Sequence, residues 1–172
     1  MIILITGGIK SGKSRRALDL AAAEWKPSAR NPVSFIATAE RLDDEMKTRI
    51  MRHQEERRLL AGEGAMPLIE EALELDRAIA AAGGRALVDC IPLWVNNLMY
   101  YGREEDFSRI LEAFIGGMKD CIVVSNETGL GNVPFDESTR RYNLLLAGAN
   151  RKIAAAADRV ELMVAGIPLR VK

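Results

Sequence analysis

Short apolar runs alternate with longer segments of helical period along this chain. Six runs predict strands, at residues 2–6, 33–37, 85–90, 121–125 and 159–165, with a short edge strand at 169–172 after a turn at Gly166-Ile167-Pro168. Apolar residues at helical spacing predict helices near 13–25, 43–61, 69–82, 92–101, 104–118 and 137–157. Apolar strands separated by helices are typical of a mostly parallel sheet with helices on its faces.

Composition and charge narrow the class of protein. The 172 residues, 48% of them apolar, suit one domain spanning 1–172 with a continuous core. The 24 basic and 24 acidic side chains cancel, so no net field favours nucleic acid or an anionic membrane. The apolar run at residues 2–5 is too short for a signal peptide or a membrane span, so we expect a cytoplasmic protein. Cys90 and Cys121 lie in predicted strands, without a second Cys or a His at metal-ligand spacing, and we expect reduced, buried thiols.

The segment between the first strand and the first helix has the pattern Gly-x-x-x-x-Gly-Lys-Ser, formed by Gly7, Gly12, Lys13 and Ser14. A strand before this pattern and a helix after it is the context of a P-loop, whose backbone N–H groups surround nucleotide phosphates. The sequence therefore predicts a site for ATP or GTP. The expected fold class is α/β, a three-layer P-loop NTPase of the RecA-like type with a mostly parallel central sheet flanked by helices.

The residue types of this loop match the chemistry of phosphate binding. Gly7, Gly8 and Gly12 leave room for the backbone to curl, and the helix that starts at Lys13 adds the positive end of its dipole. Lys13 can reach the β- and γ-phosphates, and the Ser14 hydroxyl can bind Mg²⁺. Besides this hydroxyl, Mg²⁺ usually needs a carboxylate at the end of a neighbouring strand. Asp89 is the first candidate for that carboxylate. Glu127 is the competing candidate, and it could instead orient a nucleophile or be a surface carboxylate.

His53 is the single histidine of the chain. It shares a helix face with Leu42, Met46 and Ile50, which is compatible with a place at the margin of the core. Arg49 and Arg57 stand four residues before and after it; they would attract phosphates and favour the neutral imidazole. A neutral His53 could attack the α-phosphate of a nucleotide and release pyrophosphate.

Several blocks, in order, carry a resemblance to a known family. They are residues 3–14 with the P-loop, Phe35-Ile36-Ala37-Thr38, Asp43-Asp44-Glu45-Met46 followed by His53, Val88-Asp89-Cys90, Leu93-Trp94-Val95, Ser125-Asn126-Glu127, Asn150, and Ala165-Gly166-Ile167-Pro168. With these blocks the chain resembles, over nearly its whole length, the bifunctional adenosylcobinamide kinase/adenosylcobinamide-phosphate guanylyltransferase family of cobalamin biosynthesis.

The resemblance implies two reactions at one nucleotide site: phosphorylation of adenosylcobinamide, a corrinoid, and then transfer of GMP from GTP through a guanylylated His53. ATP or GTP would serve the first step. It also implies a homotrimer. The nucleotide contacts implied by position are Gly7, Gly8, Ile9, Lys10, Ser11, Gly12, Lys13, Ser14, Ala37, Thr38, Gln54, Glu55, Glu56, Arg57, Glu70 and Asp89.

Two other classes of protein are compatible with the phosphate loop. One is a small-molecule kinase without a covalent intermediate, and the other is a nucleotide-dependent switch or ATPase. Labelling with α-labelled GTP identifies the guanylyltransferase, because it alone would retain the label on the protein. Transfer of the γ-phosphate to cobinamide then distinguishes the kinase from the switch, which would only hydrolyse the nucleotide slowly.

Overall fold

Seven strands of the described residues form one sheet in a computed structural model of the protein, which describes residues 1–40, 51, 55, 58, 59, 62, 64–131 and 133–172. The strands are β1 (Ile2–Gly7), β2 (Ser34–Ala37), β3 (Leu68–Glu70), β4 (Arg85–Asp89), β5 (Asp120–Val124), β6 (Arg159–Val164) and β7 (Ile167–Arg170). Their order across the sheet is β3-β2-β4-β5-β1-β6-β7. All neighbours are parallel except β6 and β7, which are antiparallel.

Helices cover both faces of this sheet. They are α1 (Lys13–Trp25), α2 (Leu75–Ala82), α3 (Ile91–Tyr100), α4 (Phe107–Gly117) and α5 (Glu137–Ala156). Buried side chains of α1 pack against one face of the sheet and form one core with its residues Ile3, Ile5 and Leu87. The other four helices pack against Leu4, Val88 and Val123 on the opposite face. Since alternate residues of β1, β2, β4 and β5 enter different cores, the interior positions of these strands are apolar on both faces, and the predicted three-layer arrangement is confirmed.

Local signals explain where several helices begin. The N–H groups of Ser138 and Thr139 donate to the Asp136 carboxylate at 3.0 and 2.8 Å, which caps α5. Pro92 lies in the first turn of α3, where a missing N–H costs nothing. The segment predicted as one helix over 104–118 begins instead with a 3₁₀ turn, Glu104–Asp106, before α4.

The predicted helix over 69–82 is wrong in its first part. Residues 68–70 form β3, which pairs in parallel with β2, and the helix begins only at Leu75. The Glu71 carboxylate accepts hydrogen bonds from the N–H groups of Leu73 and Glu74, both at 2.9 Å, which makes a turn between strand and helix. Pairing with β2, a partner distant in sequence, thus prevails over the local helical pattern.

The C-terminal strand is also displaced from its predicted position at 169–172. The turn falls at Ala165 and Gly166, both with positive φ (50° and 83°), so β7 begins at Ile167 and includes Pro168. Pro168 is tolerated because β7 is an edge strand that needs few N–H donors. The predicted helix over 43–61 lies largely outside the described residues, although residues 51, 55, 58 and 59 are helical.

Both cysteines are buried and free, as predicted. Cys121, on β5 between Ile2 of β1 and Ala86 of β4, is fully buried, and burial raises the pKa of its thiol to about 12.

Candidate active site

The phosphate loop lies between β1 and α1, at the edge of the sheet where the parallel strands end. Gly7 has a φ of 148°, and a Cβ there would lie 2.6 Å from the carbonyl oxygen of Met163 on β6. Gly12 has a φ of 94° and immediately precedes α1. Because β6 approaches so closely and the backbone is left-handed at Gly12, these two positions of the motif require glycine.

Lys13 is buried, and its Nζ donates a hydrogen bond to the carbonyl oxygen of Gly8 at 2.5 Å. The ammonium group therefore lies inside the loop that the sequence predicts to bind phosphates. Ser14 follows in the first turn of α1 and is half-buried. The remaining loop residues, Ile9 and Lys10, are exposed, and Lys10 has a positive φ of 55°. The charged Lys13 and the polar Ser14 of the motif thus both lie at the N-terminus of α1, where anions are favoured.

Two hydroxyls beside the loop lack hydrogen-bond partners in the part of the chain that the structure describes. They belong to Ser11 and to Thr6, the residue before Gly7. A buried polar group without a partner costs about 1–3 kcal/mol, which a bound polar ligand can recover. The Ser11 hydroxyl is therefore available to donate to a phosphate oxygen.

The register of the sheet places three predicted site residues side by side. Ala37 at the end of β2 pairs with Glu70 of β3 on one side and with Asp89 of β4 on the other. Asp89 is buried and lies two strands from β1, about 10 Å at the usual spacing of parallel strands. Glu70 is exposed and lies four strands from β1, about 19 Å away, too far for a direct role at the phosphate loop.

Thr38 follows β2 and is fully buried. Its hydroxyl donates to the carbonyl oxygen of Cys90 at 2.7 Å and lies 2.9 Å from the N–H of Cys90, which donates back to it. The Thr38 N–H donates to the Asp89 carbonyl oxygen at 3.3 Å. Thr38 thus joins the ends of β2 and β4 and holds the backbone beside Asp89.

Asn97 of α3 completes this junction, a role that sequence reasoning missed. Its buried amide donates to the carbonyl oxygens of Thr38 at 2.8 Å and of Ala72 at 3.1 Å. The signal that could have revealed it is a polar side chain on the apolar face of α3, one turn after Trp94.

An ion pair between the half-buried Arg16 and the buried Glu161 fixes α1 to the sheet. Nε and Nη2 of Arg16 donate to the two carboxylate oxygens of Glu161 on β6, at 2.9 and 3.0 Å. Arg159 also donates to Glu161. The hydrogen bonds from Arg16 hold the pKa of Glu161 below its usual value, and the same contact raises the pKa of Arg16. Sequence analysis did not identify this pair, whose members stand 145 positions apart.

His53, Gln54, Glu56 and Arg57 lie outside the described residues. Their predicted roles remain predictions. Glu55 is described and exposed, and it forms an ion pair with Arg58 at 2.8 Å, which lowers the pKa of Glu55.

Within the described parts of the chain, no group of three or more His, Cys, Asp or Glu side chains could hold a metal by itself. Mg²⁺ in a nucleotide site keeps several waters and is held by one or two protein oxygens and the substrate phosphates. Ser14 and the buried Asp89 are the oxygen donors that fit this pattern. In the same described parts, every helix is too short or too polar to cross a bilayer.

Comparison with known proteins agrees with this geometry. A KaiC-like protein of Pyrococcus horikoshii, known from a crystal structure, superimposes with a TM-score of 0.50 at 17% identity, covering 94% of this chain and 69% of that chain. This likeness concerns the fold alone, and it confirms the predicted RecA-like, three-layer class.

Two curated relatives match over almost their full length. The bifunctional adenosylcobalamin biosynthesis protein CobP of Pseudomonas aeruginosa is 39% identical over 176 residues, which cover 98% of this chain and 96% of that protein. The bifunctional adenosylcobalamin biosynthesis protein CobU of Escherichia coli is 31% identical over 192 residues, with complete coverage of both. The model of the cobinamide kinase/cobinamide phosphate guanyltransferase family matches residues 3–171, and the chain belongs to this family.

Proposed function

We propose that this enzyme phosphorylates the aminopropanol hydroxyl of adenosylcobinamide and then transfers GMP from GTP to that phosphate, giving adenosylcobinamide-GDP. Family membership over residues 3–171 supports the two reactions. The observation that carries the assignment to a site is the buried ammonium group of Lys13 inside the loop between β1 and α1. A nucleoside triphosphate placed there has its phosphates at the N-terminus of α1.

In the kinase step the chain positions the triphosphate and compensates its charge. The loop amides, the α1 N-terminus and Lys13 bind phosphate oxygens, and Lys13 leaves the Gly8 carbonyl for the ligand. Ser14 and Asp89 are the residues that would hold Mg²⁺, which supplies further charge neutralisation when bound. The Thr38 junction keeps Asp89 in place through the backbone.

In the second step His53 carries the GMP group. A nitrogen of the neutral imidazole attacks the α-phosphorus of GTP, a P–N bond forms, and pyrophosphate leaves with the electron pair of the broken P–O bond. A phosphate oxygen of adenosylcobinamide phosphate then attacks the same phosphorus and releases His53. Gln54, Glu55, Glu56 and Arg57, together with Ala37, Thr38 and Glu70, are proposed nucleotide contacts by their place in the family pattern.

The distance of Glu70 from β1 limits what it does in this scheme. Since it lies about four strand spacings from the loop, it would contact the nucleoside end or the covalent GMP rather than the triphosphate. We further propose that residues 1–172 act as a single nucleotide-binding domain and that three copies assemble.

The covalent step is tested by incubating the protein with α-labelled GTP and Mg²⁺, followed by denaturation. We expect acid-labile, alkali-stable label on the wild type and none on His53→Ala, which should still move the γ-phosphate to cobinamide. Lys13→Ala should lose both activities, because it no longer positions the phosphates. Lys119→Ala is a suitable control, since Lys119 is exposed just before β5, at the opposite edge of the sheet.

Each outcome has a distinct meaning. Phosphorylation of cobinamide without protein-bound label would leave a simple kinase. Label that persists at full level in Lys13→Ala would contradict one shared nucleotide site. Nucleotide hydrolysis without any transfer to cobinamide would contradict the proposed function as a whole.

A further inference from the structure

The segment that leaves β5 continues alongside the phosphate loop. The N–H of Ser125 donates to the carbonyl oxygen of Ile5 at 2.9 Å, and two residues later the N–H of Glu127 donates to that of Gly7 at 3.1 Å. Parallel pairing between β5 and β1 thus extends beyond the strands into the loop. The backbone of Glu127 is held beside the first glycine of the phosphate loop.

Asn150 of α5 holds this segment from a second side. Its Oδ1 accepts a hydrogen bond from the Ser125 hydroxyl at 2.6 Å, and its Nδ2 donates to the carbonyl oxygen of Asn126 at 2.9 Å. Ser125 is fully buried. Because one amide satisfies an acceptor and a donor of the same segment, its position relative to α5 is well defined.

The carboxylate of Glu127 is also held in place. Its Oε1 accepts the N–H of Gly129 at 2.8 Å, and a Cβ at Gly129 would lie 2.9 Å from that oxygen. A carboxylate has about four acceptor positions, so this bond leaves capacity for another donor. Glu127 is half-buried, which keeps it accessible to a substrate.

Strand order distinguishes Glu127 from the other carboxylates at this edge. Glu127 follows β5, the immediate neighbour of β1, whereas Asp89 ends β4, one strand further away. Glu40 follows β2 and Glu70 ends β3, and both strands are more distant still. Among the described carboxylates that end or follow the strands on this side of β1, Glu127 is therefore on the strand next to the phosphate loop, and Asp89 remains the candidate for the metal.

We infer that Glu127 is a catalytic residue of the kinase step, the base for the acceptor hydroxyl, and that Asn150 is a positioning residue for it. This inference rests on the proposed function. The hydroxyl oxygen of the cobinamide side chain forms a bond to the γ-phosphorus, its proton passes to Glu127, and the bond from the γ-phosphorus to the bridging oxygen breaks. The electron pair of that bond leaves with the nucleoside diphosphate.

The first test measures γ-phosphate transfer to cobinamide by purified wild type, Glu127→Gln and Glu127→Asp. We expect Glu127→Gln to lower kcat by about 100-fold or more while KM for the nucleotide changes little, because it removes the base and not the phosphate contacts. Glu127→Asp should recover part of the loss. Glu105→Gln is the control, an exposed glutamate in the 3₁₀ turn before α4.

A second pair of variants moves the carboxylate without removing it. Gly129→Ala would push against Glu127 Oε1, whereas a Cβ at Gly131 meets nothing within 4 Å. We expect Gly129→Ala to lower kcat roughly tenfold to a hundredfold through misplacement, and Gly131→Ala to behave as wild type. Asn150→Ala should resemble Gly129→Ala, with Asn143→Ala on the same helix as its control.

Thermal melting of each variant shows whether a lower kcat comes from loss of the catalytic carboxylate or from unfolding of the protein. A Glu127→Gln protein that melts as wild type and retains its kcat would overturn the inference alone, as would a Gly129→Ala protein indistinguishable from Gly131→Ala. A wild-type protein that does not phosphorylate cobinamide would overturn the proposed function, and this inference with it.

Discussion

Arg16, in the first turn of the helix that begins at the phosphate loop, donates two parallel hydrogen bonds to the carboxylate of Glu161 in the middle of β6. Glu161 is almost completely buried, and its neighbour across the sheet is Ile5 of β1. The strand and the helix on either side of the loop are therefore connected to the same carboxylate, one through the sheet and the other through the ion pair.

Removing the charge of Glu161 should destabilise the protein. In Glu161→Gln the Arg16 guanidinium loses a bidentate acceptor at a largely buried site, which we expect to cost about 3 kcal/mol of unfolding free energy. Urea unfolding of the two proteins measures the difference. Asp19→Asn is the matched control, because it breaks the exposed Arg15–Asp19 pair and should cost less than about 1 kcal/mol. Equal effects of the two substitutions would contradict a special role for the buried pair.

The same ion pair predicts how stability depends on pH. The hydrogen bonds from Arg16 and then from Arg159 lower the pKa of Glu161 in the folded state below its ordinary value of 4.5. The unfolded chain therefore binds this proton more readily, so the stabilisation is complete above the unfolded pKa and is lost as pH falls through the folded pKa. The stability gap between wild type and Glu161→Gln should be widest near neutral pH and should shrink as the pH falls below the ordinary pKa of 4.5. A gap that widens on acidification would contradict this assignment.

Gly7 and Gly8 offer a direct comparison of two neighbouring glycines. A Cβ at Gly7 would collide with the Met163 backbone, whereas a Cβ at Gly8 meets nothing within 4 Å. We expect Gly7→Ala to lower the stability of the nucleotide-free protein by about 1–3 kcal/mol and Gly8→Ala to change it by less than about 0.5 kcal/mol. Thermal unfolding without nucleotide measures both. Similar melting of the two variants would show that β6 does not approach the loop as closely as described.

Thr38 tests the junction between β2 and β4. Thr38→Val keeps the shape of the side chain but leaves the buried N–H and carbonyl oxygen of Cys90 without the hydroxyl, which should cost about 2–4 kcal/mol. Thr38→Ser retains the hydroxyl and should recover most of this loss. Nucleotide affinity, followed by calorimetry with Mg²⁺, should decrease with Thr38→Val because Asp89 is less well held. Unchanged stability in Thr38→Val would contradict this role of the hydroxyl.

The sequence predicted the phosphate loop well because its determinants are local. The glycines, Lys13 and the flanking strand and helix stand within about 25 consecutive residues, and each is recognisable from its neighbours. The same holds for the central strands, whose predicted limits differ from the observed ones by about one residue.

The features that the sequence did not predict depend on contacts between distant parts of the chain. β3 forms because residues 68–70 pair with β2. The local periodicity of residues 69–82 carries no information about that pairing. The contacts from Thr38 to Cys90 and from Arg16 to Glu161 join residues 52 and 145 positions apart. Asp89 and Glu127 could be proposed as competing acids, but only the strand order showed which one lies beside the loop.

The buried thiol of Cys121 can report transient opening of the sheet. This side chain lies on β5, the strand that also carries the segment leading to Glu127, and a thiol so protected reacts with an alkylating reagent only when β5 separates from its neighbours. Alkylation of Cys121, distinguished from that of Cys90 by peptide mapping, would therefore follow the transient separation of these strands without any added probe. Bound nucleotide should slow that reaction, and the logarithm of the slowing factor should be proportional to the free energy with which the nucleotide stabilises the closed form.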